Sequence, residues 1–114
     1  MTPGRYVPDE GDIAWLNLNP RTGREQAGHR PVLVISPGAF NRGSGLLVCC
    51  PLTTQHKGYP FEVVLQGEFT SVALVDQVRS VDWEARGATF KGRASAADMA
   101  EVRGKLVALI GAQT

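Results

Sequence analysis

Acidic side chains are nearly missing from a long stretch of this chain. Between Asp12 and Glu62 the only one is Glu25, while Arg21, Arg24, Arg30, Arg42 and Lys57 all fall there. The formal net charge of the whole 114-residue chain is +1, so the bias is local. Local potential, not net charge, attracts a polyanion such as a nucleic acid or an acidic peptide. A few solvated loop arginines would give the same pattern, and charge alone leaves both readings open.

Other shortages narrow the class. The two cysteines, Cys49 and Cys50, are adjacent within an apolar run. That spacing fits neither a zinc site nor a redox pair. Neighbours on a strand point to opposite faces, so both are expected to be buried small hydrophobes. The two histidines, His29 and His56, are far apart with no partner pattern for a metal, and neither a metal nor any other cofactor is expected. No apolar run approaches a membrane span, and "MTPGRYVPDEGD" lacks the apolar centre of a secretory signal. A cytoplasmic protein is the expectation. With 43% hydrophobic and 20% charged residues, and no repeat or low-complexity tract, residues 1–114 are expected to form one domain with its own core.

Periodicity places several short strands before one helix. "GDIAWLNLN" alternates, with Ala14, Leu16 and Leu18 on one face and Ile13 and Trp15 on the other. Val32 to Ile35 is a continuous apolar run, as expected of a strand buried on both faces. "GAFNRGSG" reads as a turn or short helical piece, and "LLVCCPLTT" as a third strand ending at Pro51. "FEVVL" and "SVALV" are strands separated by "QGEFT"; "DQVRSVDW" and "GATFKGRA" are two more. Ser95 is a good N-cap with Asp98 three residues on. Met99, Val102, Leu106, Leu109 and Ile110 then recur at helical spacing up to Gly111. Gly104 costs about 1 kcal/mol relative to Ala inside such a helix, so a close packing contact is expected there. The fold class is mostly β (α+β): a small β-barrel or strongly bent sheet closed by a C-terminal amphipathic helix.

One connection is chemically overloaded. "GREQAGHRP" joins the first two strands and carries Arg24, Glu25, Gln26, His29 and Arg30 between the hinge candidates Gly23 and Gly28. If the first three strands are neighbours, Thr53, Thr54, Gln55 and Lys57 would meet this loop at one rim. Cleaving RNA without a metal needs a base for the ribose 2′-OH, a proton for the 5′-oxygen, and positive charge for the anionic phosphorane. Arginine matches phosphate oxygens with a fork of donors, and a threonine hydroxyl can donate to a non-bridging oxygen. A glutamate among arginines is held ionised at neutral pH, as a weak base suits; His29 is the other candidate base. A plain structural ion pair of Glu25 with an arginine is the alternative.

Taken end to end, the chain resembles the MazF/PemK family of toxin endoribonucleases from bacterial type II toxin–antitoxin pairs. The likeness is carried by "RYVPDEGDIAW", "EQAGHRPVLVISP", "CPLTTQHKGYPFEVVL", "VALVDQVRS" and "ARGATFKG". The G-x-E-x-x-G-x-R-P signature stands here as Gly23, Glu25, Gly28, Arg30 and Pro31. The resemblance implies an SH3-like/CcdB-type β-barrel that works as a homodimer. It also implies metal-independent cleavage of single-stranded RNA at short motifs, giving 2′,3′-cyclic phosphate and 5′-hydroxyl ends and stopping translation and growth. The catalytic residues it implies are Glu25, Arg30 and Thr53. Gln77 falls at a position implicated in RNA contact, and Arg24, His29, Thr54, Gln55, Lys57, Arg79 and Arg86 complete the candidate RNA-binding set. A MazE-like antitoxin with an acidic C-terminal tail is the implied protein partner. A non-catalytic toxin of the same fold, acting on a protein such as gyrase, is the main alternative. A regulatory module that binds RNA without cutting it is a weaker one. His56 reads as a solvated loop residue or a modifier of base preference; Trp15 and Phe61 read as core.

Overall fold

The computed structural model describes residues 5–67 and 70–111. Its elements follow in the order β1 (Asp12–Asn17), β2 (His29–Val34), α1 (Gly38–Ser44), β3 (Leu46–Thr53), β4 (Glu62–Gln66), β5 (Thr70–Leu74), β6 (Arg79–Asp82), β7 (Thr89–Arg93) and α2 (Ala96–Ile110). A short 3-10 turn, Val75–Gln77, precedes β6. It takes up the first half of "DQVRSVDW", so only the second half is strand. The middle of "QGEFT", Glu68 and Phe69, lies outside the described residues.

All pairings are antiparallel, in the order β4-β5-β3-β2-β1-β7, with β6 on β3. Among the described residues the end strands β4 and β7 do not pair with each other, so of the two forms expected, barrel or strongly bent sheet, the sheet is a loose, open barrel. A helix takes over the covering role at that side. Met99 and Val102 of α2 pack with Ile13, Leu33, Cys50, Leu52, Val63, Leu65, Ala73 and Val75. The opposite face of the sheet buries Ala14, Leu16, Leu18, Val32, Val34, Leu47, Cys49, Val81 and Trp83. The strand alternation thus sorts residues into two cores, as the β1 pattern and the apolar run in β2 require. Cys49 and Cys50 fall one in each core, and burial, first among causes, pushes both thiols up to about 12.

β3 runs through Pro51 to Thr53, two residues past the expected end. It pairs with β6 up to Cys49 and with β5 from Leu52. Pro51 sits in the gap between these two partners, where its missing N–H breaks no ladder on that side. This exchange of partners sends the end of β3 towards β5 and carries Thr53 to the rim of the sheet.

α2 begins as expected, with the Ser95 hydroxyl accepting from the Asp98 amide, and ends at Gly111. The Asp98 carboxylate bonds the Gln66 amide (2.8 Å), tying the helix to β4. The last turn departs from expectation: Leu109 and Ile110 are exposed, because α2 packs on β4 and the 3-10 turn and overshoots them. Gly104 makes no close contact; a Cβ there would meet nothing within 4 Å. On the other side of the molecule, the buried Asn41 of α1 binds three groups through its side chain. Its Nδ2 donates to the carbonyls of Pro8 (2.8 Å) and Ser36 (3.0 Å), and its Oδ1 accepts from Ser36 Oγ (2.6 Å).

Candidate functional site

Two loops stand over the rim where β2, β3 and β5 end. The first, from Leu18 to Gly28, is strapped at its stems. The Leu18 amide donates to the Gly28 carbonyl (2.9 Å), and the Gly28 amide to Asn19 Oδ1 (3.0 Å). Gly28 has φ of 84°, a left-handed conformation that a side chain rarely adopts. Arg86 Nη1 donates to the carbonyls of Asn17 (3.0 Å) and Asn19 (2.9 Å), holding the loop's start. Gln77, from the 3-10 turn, accepts from the Gln26 amide (2.9 Å) and holds its far side. Residues 21–25 at the tip are exposed. Gly23 and Gly28 therefore serve as turn residues of a bonded loop.

The second loop, Thr54 to Phe61, folds around the side chain of Glu62. One carboxylate oxygen accepts from the amides of Lys57 (3.1 Å), Gly58 (2.8 Å) and Tyr59 (3.2 Å). His56 Nε2 lies 3.7 Å from the same oxygen.

Between the loops lies a cleft of about 960 Å³. It brings Glu25 of the first loop and Arg30 of β2 together with the distant Thr53, and adds Arg24, Gln55, Lys57 and Gln77. Arg30 leaves β2 into the cleft. Its Nε donates to the Ala27 carbonyl at 2.6 Å, and among the described residues its Nη groups have no other bond. Two forked donors thus remain for an anion. Thr53 Oγ1 accepts from the Gln55 amide (3.2 Å), which leaves its hydroxyl proton free to donate. Glu25 pairs with neither arginine of its own loop; its contact is Arg79 Nη1 of β6, at 3.8 Å, with the glutamate side chain half exposed. So loose and solvated a pair contributes little to stability.

The other candidates fall elsewhere. Thr54 is exposed beside the cleft, outside its lining. His29 follows the strand alternation to the other face from Arg30 and stacks on Trp15, with ring centroids 5.2 Å apart. Lys91 Nζ lies 4.6 Å from the centroid of the same Trp15 ring. Trp15 is thus half-buried in a surface stack, whereas Phe61 packs on the core and also lines the cleft. Arg86 is engaged with main-chain carbonyls, and Arg79 borders the adjoining hollow under Glu25.

Several lining residues were not anticipated: Arg21, Tyr59, Glu62 and Asp76 above all. The local charge is mixed, since Arg21, Arg24, Arg30 and Lys57 face Glu25, Glu62 and Asp76. The acid-poor window in the sequence missed the last two because they enter from outside it.

The sequence profile of the PemK-like, MazF-like toxins of type II toxin–antitoxin systems matches residues 9–110. The chain belongs to this family. It is 53% identical over 108 residues to the endoribonuclease toxin MazF of Escherichia coli strain K12, covering 94% of this chain and 97% of that one. Endoribonuclease PemK of Escherichia coli is 37% identical, with 90% and 81% covered. Crystalline MazF from Deinococcus radiodurans superimposes with a TM-score of 0.90 at 49% identity, over 95% of this chain and all of that one. The cleft is therefore a feature of a MazF-like toxin, and so is the open sheet that builds it.

Proposed function

We propose that this MazF-like toxin is a metal-independent endoribonuclease that cuts single-stranded RNA at specific short sequences and so stops translation and growth. The observation that carries this reading is the meeting of Glu25, Arg30 and Thr53 in one cleft. The Glu25 carboxylate takes the proton of a ribose 2′-OH, and the 2′-oxygen attacks the adjacent phosphorus. Arg30 Nη groups and the Thr53 hydroxyl donate to the non-bridging oxygens as negative charge gathers there. The P–O5′ bond breaks, the 5′-oxygen takes up a proton, and a 2′,3′-cyclic phosphate and a 5′-hydroxyl remain. The cationic donors supply the charge stabilisation that a metal gives in other nucleases.

Arg24, Gln55 and Lys57 lie along the path of the RNA backbone, and Gln77 contributes by setting Gln26 and its loop. Residues 1–114 act as one toxin domain, as a homodimer in the cytoplasm. Its inhibitor is a MazE-like antitoxin whose acidic C-terminal tail competes for the same cationic side chains. The Deinococcus radiodurans MazE–MazF complex, whose MazF chain matches with a TM-score of 0.86 at 49% identity, supports that partnership. Incubating the protein with single-stranded RNA in excess chelator is expected to leave cleavage intact and yield cyclic phosphate ends. Loss of cleavage, or 5′-phosphate products, would contradict the chemistry.

A further inference from the structure

Glu62 is the least expected residue in the cleft wall. Its side chain is only 4% exposed, and among the described residues its only ion-pair contact is the His56 imidazole, 3.7 Å away. A buried carboxylate is costly unless hydrogen bonds offset its lost hydration. Here three consecutive main-chain amides, Lys57, Gly58 and Tyr59, converge on one oxygen. Such a concave run of N–H groups is a natural anion cradle. It depends on Gly58, whose φ of 79° turns the middle amide inward. The main-chain carbonyl of Glu62 is also fixed, by Lys105 Nζ of α2 at 2.8 Å.

We propose that Glu62 is the positioning residue that holds the Gln55–Tyr59 segment as the second wall of the RNA cleft, an inference resting on the RNA-cleaving reading above. Lys57 and Tyr59 are the groups it displays: the ammonium lies 5.9 Å from the centroid of the exposed ring, at the cleft's edge. A cation over one face of an exposed aromatic ring suits an RNA strand, whose phosphate meets the ammonium while a base stacks on the ring's other face. Glu62 touches neither. It fixes the amides from which both side chains project, and its charge makes those three bonds stronger than a neutral acceptor would.

The test is Glu62→Gln, which keeps the shape and one acceptor oxygen but removes the charge that strengthens the three bonds. Glu25 and Arg30 are held by other bonds and Thr53 by its strand pairing with β5, so KM for single-stranded RNA is expected to rise about tenfold while kcat changes less than about threefold. In a Lys57→Ala background the same substitution should raise KM by less than about twofold. Amide exchange at Lys57, Gly58 and Tyr59 in the free protein should quicken about tenfold or more. Should Glu62→Gln fail to fold, Gly58→Ala disturbs the same cradle through the backbone strain of a side chain at φ 79°, while its Cβ meets no neighbour within 4 Å. It should produce the same shift in KM. Unchanged KM and unchanged exchange in a wild-type protein that does cut RNA would overturn the role of Glu62, as would a fall in kcat matching the rise in KM. A wild type that cuts no RNA would overturn the functional reading instead, and the exchange measurement would still decide whether Glu62 holds the loop.

Discussion

Replacing Arg30 by alanine is expected to lower kcat on RNA by about a thousandfold, with a much smaller change in KM. The guanidinium is braced for one task. Nε is engaged by the Ala27 carbonyl at 2.6 Å, which fixes the plane of the fork and aims the Nη donors into the cleft. Donors held in place before the reaction lose little entropy when charge develops on the phosphorane. Lysine offers a single point charge without the fork, so Arg30→Lys should recover no more than about tenfold of the loss. Thermal melting of both variants checks that the Ala27 brace has not unsettled the loop. An Arg30→Ala protein that melts normally and cuts RNA within about threefold of wild type would remove the arginine from the mechanism. One that cuts no RNA yet remains fully toxic would favour the non-catalytic alternative, action on a protein target.

Asn41→Ala should be the most damaging change far from the cleft. The side chain is fully buried, and its loss takes the donor from the Pro8 and Ser36 carbonyls and the acceptor from the Ser36 hydroxyl proton. Ser36 Oγ also accepts from the Val48 amide (2.8 Å), so the disturbance reaches β3. Unpaired buried polar groups cost about 1–3 kcal/mol each, partly relieved by water entering the space, so a loss of about 3 kcal/mol is expected. That corresponds to a fall of about 10 °C in melting temperature for a domain of this size. Guanidinium unfolding measures it directly. A loss below about 1 kcal/mol would mean that the network is satisfied by other means.

Much of the scaffold was legible because its signals are local. The alternation in β1, the apolar run in β2, the opposed cysteines and the caps of α2 each depend on neighbours in the chain, and each is found as read. What escaped depends on distant partners. Nothing near Pro51 announces that β3 changes from β6 to β5 there, and so continues to Thr53. Leu109 and Ile110 repeat the helical spacing of Met99 and Val102, but the surface that would bury them stops short. Gly104 looked like a packing contact and meets open space.

The site divides along the same line. Glu25, Arg30 and Thr53 stood out by residue type and motif, and the pairing of β1, β2 and β3 brings them to one rim. Gln77 was singled out as a possible RNA contact, whereas its visible bond is to the Gln26 amide. Glu62 was invisible, since a glutamate at the head of "FEVVL" looks like the polar start of a strand. Its meaning lies in the three amides folded over it. A glycine a few residues ahead of it, in "KGYPFE", was the one available hint that the chain turns back.

The central claim is that the cleft makes the RNA attack itself through its own 2′-oxygen. The most direct measurement uses an RNA oligonucleotide containing one cleavage site, with a single 2′-deoxy substitution at the nucleotide before the scissile phosphate. The substituted strand should remain uncut while competing with the unmodified strand for binding. Cutting of the substituted strand at the normal rate would contradict the account.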